Sequence, residues 1–390
     1  MEHPCTTGTE TGVQVADGPR PISVLWLAKG LGPGGMERLL VHHARLGDRA
    51  RFRYLAAYLV ERPESVVPEL EGLGVECVQL GRSGGPGRWV RDLSLLVRAR
   101  GIDVLHSHSP LPASGARLRF AGRPGAPSLV YTEHCTWDAY GPPTRAANAA
   151  TYPLDDAQFA VSAGVRDGVP AFLRSGLEVL PHGIDLDALA TAVGDRAATR
   201  AELGLGAENV AVLNVAHLRA EKGLDVLLEA TATLLRERPE VVVLSAGHGP
   251  LLDELRAQHA RLGLGDRMRF LGYRPDVPRL LAAADVFCLS SRQEGLPLAY
   301  MEASAVGLPT VATTVGGLPE QVRDDVDGLL VAPDDPGALA AALSRVVGDA
   351  ALRHRLGDAA LAGSRRFDAR AAIRVQEDRY AALASTGGAR

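Results

Sequence analysis

At 390 residues the chain is long enough for two domains, each with its own core. Its 46% hydrophobic and 23% charged residues are ordinary globular composition, and a net charge of −4 removes any global reason to bind nucleic acid. Cys5, Cys77, Cys135 and Cys288 stand apart, with no C-x-x-C and no histidine at metal spacing, so they read as free thiols of a reducing compartment. Residues 1–18 are polar and carry Glu2, Glu10 and Asp17; they are expected to form a disordered tail without the basic and apolar regions of a signal peptide. No apolar run nears the ~18–20 residues of a spanning helix, so a cytoplasmic protein is expected.

Ile22–Ala28 reads as a buried first strand, followed by a glycine-rich turn and a helix. Gly30, Gly32 and Gly35 formally satisfy the dinucleotide fingerprint G-x-G-x-x-G. Glu61, after the second run Arg53–Val60, even stands where it could hold a ribose. Pro33 stiffens this loop, and a tight strand–helix turn needs glycine on its own account. Alternation continues through Val75–Leu80, a helix near Arg88–Arg100 and a strand Ile102–His106. That is the pattern of a doubly wound parallel sheet. His106 and His108 fall at a strand's C-terminal end, where such sheets bind ligands. No carboxylate or cysteine is spaced to complete a metal site with them, so cleft-lining or capping roles are expected. Ser128–Glu133 delivers His134 into a loop. Ala157–Ser162 and Val179–Leu180 then lead to His182, closing a first domain over 19–185.

A second domain, 186–364, is expected to open on a helix at Arg196–Leu203 with Val210–Val215 as its first strand. Arg219 and Lys222 then stand at the start of an amphipathic helix, an end where cations are disfavoured unless an anion joins them. Val241–Ala246 leads to His248, and Met268–Leu271 leads to Tyr273 and Arg274. After Asp285–Leu289 comes SSRQEGLPLAYMEASAVGLPTVAT, a polar turn with Pro297 as first residue of a helix Leu298–Ala305. The amides of Gly295, Leu296 and Leu298 would make an anion site at that helix N-terminus. Glu294 and Glu302 lie two turns apart, about 12 Å at ~1.5 Å per residue. A glycosidase pair needs ~5–9.5 Å, so the span suits the two ends of a sugar nucleotide better. Gly316–Glu320 reads as a turn into a short helix, and Arg365–Ala384 as a last helix. No D-x-D stands at a strand-end loop; Asp324–Asp327 and Asp334–Asp335 read as turn charges.

Glu294-x7-Glu302 in this setting resembles the signature of family-4 retaining glycosyltransferases of the GT-B fold, and further matches recur in order along the chain. The resemblance implies two Rossmann-like doubly wound domains facing across a cleft, with residues 365–390 crossing back onto the first. It implies Gly34 and Gly35 amides near the donor phosphates or the acceptor, and His134 against the donor sugar. Lys222 would bind the diphosphate, and Tyr273 would stand beside the base. Glu294 would bind sugar hydroxyls and Glu302 ribose hydroxyls. Many members carry arginine where this chain has His217, so Arg219 is expected to supply that charge. His182 replaces a usual asparagine and His248 a frequent acid.

The activity implied is retaining, metal-independent transfer from a nucleoside-diphosphate sugar, UDP first and GDP next, with no cofactor. The acceptor would be a glycan, a lipid-linked molecule or a small molecule, as in polysaccharide biosynthesis. Arg45, Arg49, Arg51 and Arg53, or Arg117, Arg119 and Arg123, could touch anionic headgroups at the inner face of the plasma membrane. A sugar-nucleotide epimerase of the same architecture, an NAD-linked oxidoreductase and a non-catalytic sugar-nucleotide binding module remain open alternatives.

Overall fold

The computed structural model describes residues 20–82, 84, 85 and 87–387. The expected tail 1–18 with Cys5, and residues 388–390, lie outside the described residues.

The first sheet has seven parallel strands: β1 (Ile22–Gly30), β2 (Phe52–Val60), β3 (Glu76–Gln79), β4 (Val104–Ser107), β5 (Ser128–Glu133), β6 (Ala157–Ala160) and β7 (Leu177–Val179). Their order is β3-β2-β1-β4-β5-β6-β7. The second has six: β8 (Val210–Val215), β9 (Val241–Ala246), β10 (Met268–Gly272), β11 (Val286–Leu289), β12 (Thr310–Thr313) and β13 (Gly328–Val331), ordered β10-β9-β8-β11-β12-β13. The central strands are mostly apolar because helices cover both faces of each sheet; Val24, Leu25 and Leu27 of β1 are fully buried. The helix Leu224–Glu237 shows the complementary pattern, burying Leu224, Leu227, Leu228 and Leu234 on one face.

In each sheet the strand order reverses beside one strand, between β1 and β4 and between β8 and β11. Loops leaving two such strands part there and open a crevice. The glycine-rich turn follows β1, Lys222 follows β8 and Glu294 follows β11.

The chain passes between the halves twice. Ile184 N–H donates to Phe367 O at 2.8 Å and Ala369 N–H to Ile184 O at 3.0 Å, so the two crossings are joined. The last helix, Ala369–Gly387, then packs on the first sheet. Tyr380 is fully buried, its hydroxyl 2.6 Å from His106 Nδ1. Glu377 accepts from Tyr54 Oη at 2.6 Å and from Asp48 N–H at 2.7 Å.

Several expectations shift. Pro297 caps the helix Leu298–Ala305 from outside instead of opening it. A helix Leu186–Ala192 precedes the one expected to begin the second half, and a 3-10 turn Ser364–Phe367 precedes the last helix. Strands β12 and β13, four residues each, were not expected.

Of the two basic clusters, Arg45, Arg49, Arg51 and Arg53 are exposed, whereas the second is split by burial of one member. Arg117 is buried, its Nε and Nη2 donating to Asp155 at 2.9 and 2.7 Å and its Nη1 to Asn148 Oδ1 at 2.7 Å, with the Tyr131 ring 4.6 Å away. It cannot meet a headgroup. Arg45 reaches Glu69 at 3.1 Å, Arg49 the Gly74 carbonyl at 3.0 Å and Arg53 the Arg100 carbonyl at 2.6 Å.

Candidate active site

A cleft of about 1240 Å³ lies between the two sheets, at the ends of their switch-point strands. Lys222, Arg219, Glu294, His134, Gly34, Gly35, Tyr273, Gly295, Leu296, Leu298 and Glu302, which come from five separate segments that each follow a strand, all line it.

Lys222 ends the short turn Ala220–Lys222 after β8, and Gly223 follows at φ +59°. A Cβ at Gly223 would overlap the Ser290 carbonyl, so only glycine lets the lysine loop lie this close to the loop after β11. Lys222 Nζ donates to Glu294 Oε2 at 2.7 Å, and Ser291 Oγ to Glu294 Oε1 at 2.6 Å. Glu294 is 8% exposed; a buried carboxylate needs such partners. Ser291 is a support that its position in a polar turn did not reveal.

Beside this pair, among the described residues, no protein acceptor takes the N–H of Gly295, Leu296 or Leu298. The matching carbonyls are taken. Gly295 O accepts from Gly317 N–H at 2.8 Å and Ser162 Oγ at 3.3 Å, and Leu296 O from His182 Nε2 at 2.9 Å.

Farther along the cleft, burial pushes the Glu302 carboxyl up to about 7, against the lowering charge of Arg38. Behind the cleft wall, burial likewise raises Glu37 to about 7, against its own backbone N–H and the charges of Arg62 and Arg219. Glu37 lies in the first turn of the helix Gly35–Leu46. Tyr273 is 46% exposed and meets His248 edge-on, ring centres 5.7 Å apart; His248 in turn meets His217 at 5.3 Å.

His134 Nε2 stands 3.0 Å from His108 Nδ1. Burial, and the neighbouring imidazoles, hold both rings well below the usual histidine range, hence neutral. His106 and His108 thus lie beneath the cleft floor and do not line it as expected: His106 is fully buried between Tyr380 and Thr132 Oγ1, 2.8 Å away. A chamber of about 40 Å³ under the floor is bordered by His42, His108, His134 and His182.

Contacts also cross from one half to the other. Glu320 accepts from Ala163 N–H at 3.0 Å and Gly164 N–H at 2.7 Å, and Gln293 reaches Asp138 at 3.2 Å. Among the described residues no group of three or more His, Cys, Asp or Glu could hold a metal ion. The geometry therefore offers the Lys222 ammonium, the Arg219 guanidinium and three open amides around one space, with a carboxylate at either end; Arg38, Arg45 and Arg274 also line it but are held by carboxylates. That set fits an anion flanked by hydroxyl-bearing groups.

Two family models match in tandem: Glycosyltransferase Family 4 over residues 33–188 and Glycosyl transferases group 1 over 195–362. A D-inositol 3-phosphate glycosyltransferase of Xylanimonas cellulosilytica is 34% identical over 309 residues, covering 72% of each chain. One from Geodermatophilus obscurus is 41% identical over 182 residues, 43% of this chain and 40% of that one. The chain spans about half the length of most of the curated relatives it matches. Among solved structures, Anabaena Alr3699/HepE in complex with UDP-glucose superposes with a TM-score of 0.81 at 22% identity, over 95% of this chain and 100% of that one. WaaG, a glycosyltransferase involved in lipopolysaccharide biosynthesis, does so at 0.72 and 18%, over 92% and 99%. The fold is GT-B, and the chain belongs to the family-4 glycosyltransferases.

Proposed function

We propose that this protein transfers a sugar from a nucleoside-diphosphate sugar to an acceptor hydroxyl, with retention and without a metal ion. UDP-sugars come first and GDP-sugars next. The observation that carries the reading is the joint placement of Lys222 and the open amides of Gly295, Leu296 and Leu298 on one space.

In the transfer the bond between the anomeric carbon and the β-phosphate oxygen breaks, and its electron pair leaves on the diphosphate. The acceptor oxygen bonds to the same face of the sugar, and its proton passes to the departing phosphate. Lys222, Arg219 and the amides take up the developing charge, the work a Mg²⁺ ion does elsewhere. Glu294 and His134 hold sugar hydroxyls, Glu302 the ribose, and Tyr273 stands beside the base, with Gly34 and Gly35 facing the phosphates from the first half.

UDP is favoured because UDP and UDP-glucose are bound by HepE. The relatives' names put a phosphorylated cyclitol among the small-molecule acceptors to try, beside glycans and lipid-linked acceptors. The test is a screen of UDP-, GDP- and ADP-sugars for hydrolysis, then for transfer. Loss of all activity in EDTA, restored by Mg²⁺ or Mn²⁺, would refute metal independence; no turnover with any of these donors would refute the reading.

Among the described residues no helix is long and apolar enough to cross a membrane. Peripheral contact with an anionic membrane face is supported by a surface that shares Arg119 and Arg123 with the second cluster named at the start. The helix Arg88–Arg100 exposes Arg88, Arg91, Leu95 and Arg98 along one stripe. Its neighbour Pro110–Phe120 exposes Leu111 and Leu118, and Arg119 Nε joins the two helices through Ser94 Oγ at 2.8 Å. Among the described residues Arg88, Arg91, Arg98 and Arg123 form no ion pair, so the face offers charge and apolar side chains together to an anionic surface.

A further inference from the structure

We infer that Ser162 and His182, two side chains of the first half, are positioning residues for the donor diphosphate. They fix the carbonyls of the second half's Gly295–Leu296 loop and thereby aim its amides into the cleft. The inference rests on the donor site proposed above.

The argument is one of peptide planes. In a trans peptide the C=O and the N–H point to opposite sides. The Gly295 carbonyl is held by Gly317 N–H and Ser162 Oγ, so the N–H of Leu296 is turned the other way. The Leu296 carbonyl can only accept, so the proton of the 2.9 Å contact sits on His182 Nε2. That bond sets the torsion at Leu296, hence the angle at which Pro297 enters the helix Leu298–Ala305 and the direction of the Leu298 N–H.

Both donors belong to the other side of the cleft. Ser162 follows β6 and caps the helix Ala163–Gly168, accepting from Val165 N–H at 3.1 Å. His182 follows β7, two residues before the crossing at Ile184. The loop they hold follows β11 of the second sheet. The anion site is therefore assembled only when the halves are together. An independent contact says the same: a Cβ at Gly295 would overlap the His134 carbonyl, so the loop lies backbone to backbone against the first half.

The test compares the native protein with His182→Leu, His182→Gln and Ser162→Ala. The readouts are the UDP Kd by calorimetry and the donor KM and kcat in hydrolysis. Gln carries a donor N–H near the place of the imidazole Nε2; Leu carries none. One hydrogen bond of roughly 1 kcal/mol corresponds to about a five-fold change. His182→Leu is expected to raise UDP Kd about five-fold and to lower donor kcat/KM at least as much, because the same amides take up charge on the leaving diphosphate. His182→Gln should restore both to within about two-fold. Ser162→Ala, whose bond is longer and shared with Gly317, should cost about two-fold in Kd and keeps the inference testable if His182→Leu does not fold. Native-like UDP affinity in both His182→Leu and Ser162→Ala overturns the inference while leaving the donor site standing. Failure of the native protein to bind UDP or GDP overturns both.

Discussion

Lys222 Nζ lies 2.7 Å from Glu294 Oε2, so the cation proposed for the diphosphate is already held by the carboxylate proposed for the sugar. The pair keeps a charge in place before a ligand arrives, which is where electrostatic catalysis gains most. Lys222→Ala removes the charge that grows in importance as the diphosphate leaves. It should lower kcat by a factor of about 100 or more and raise donor KM less, by steady-state kinetics with the best donor. A near-native kcat would remove the charge argument.

Glu302 gives a prediction with a sign. Its carboxyl stands at about 7 against an ordinary 4.5, and only the carboxylate accepts from two ribose hydroxyls. Donor affinity should therefore rise as pH passes from 6 to 8. Glu302→Gln should bind weakly and show no such slope in UDP calorimetry. Stability runs the other way. With the folded value raised, the favourable contribution is complete below 4.5 and is lost as pH rises through about 7. Replacement by Gln should flatten that part of the Tm–pH curve.

Gly295→Ala places a methyl group where the His134 carbonyl now sits. The halves must separate or the loop must turn, and either spoils the amide array. We expect a loss of about ten-fold or more in UDP affinity, with the melting point of the ligand-free protein affected little. Unchanged UDP binding would show that the two backbones need not meet.

The arginine-rich face on the helix Arg88–Arg100 is tested by charge reversal. An arginine near an anionic bilayer is worth about 1 kcal/mol. The native protein should co-sediment with vesicles containing phosphatidylserine and not with pure phosphatidylcholine, and Arg91→Glu/Arg98→Glu should abolish this at unchanged hydrolysis of donor. Equal sedimentation of native and reversed proteins would exclude the face.

Much of the frame could be read from the chain because strands buried on both faces are mostly apolar; β1, β8 and β11 stand out for that reason. The four-residue strands β12, with two threonines, and β13, opened by a glycine, carry too short a pattern to be seen. Arg117 misled because residues near it in sequence were taken for neighbours on a surface. Helical spacing separates them: Ala113, Ala116, Arg117 and Phe120 share the buried face while Leu118 points out. The grouping of eleven candidate residues on one cleft followed from the family resemblance, with spacing contributing only the Glu294–Glu302 span and the amides between. The bonds that support them were not legible. His182 meets Leu296 across 114 positions and His106 meets Tyr380 across 274, and no local pattern links such pairs.

The bonds between Ile184 and the Phe367–Ala369 segment make the two passages between the halves behave as a single two-stranded ribbon. A lone strand would let one lobe swivel in any sense. A paired one resists torsion about its length and yields chiefly to flexing across it. The lobes are thereby confined to a jaw-like opening that keeps Lys222 and His134 in facing register, so each return should bring the same atoms together without a search.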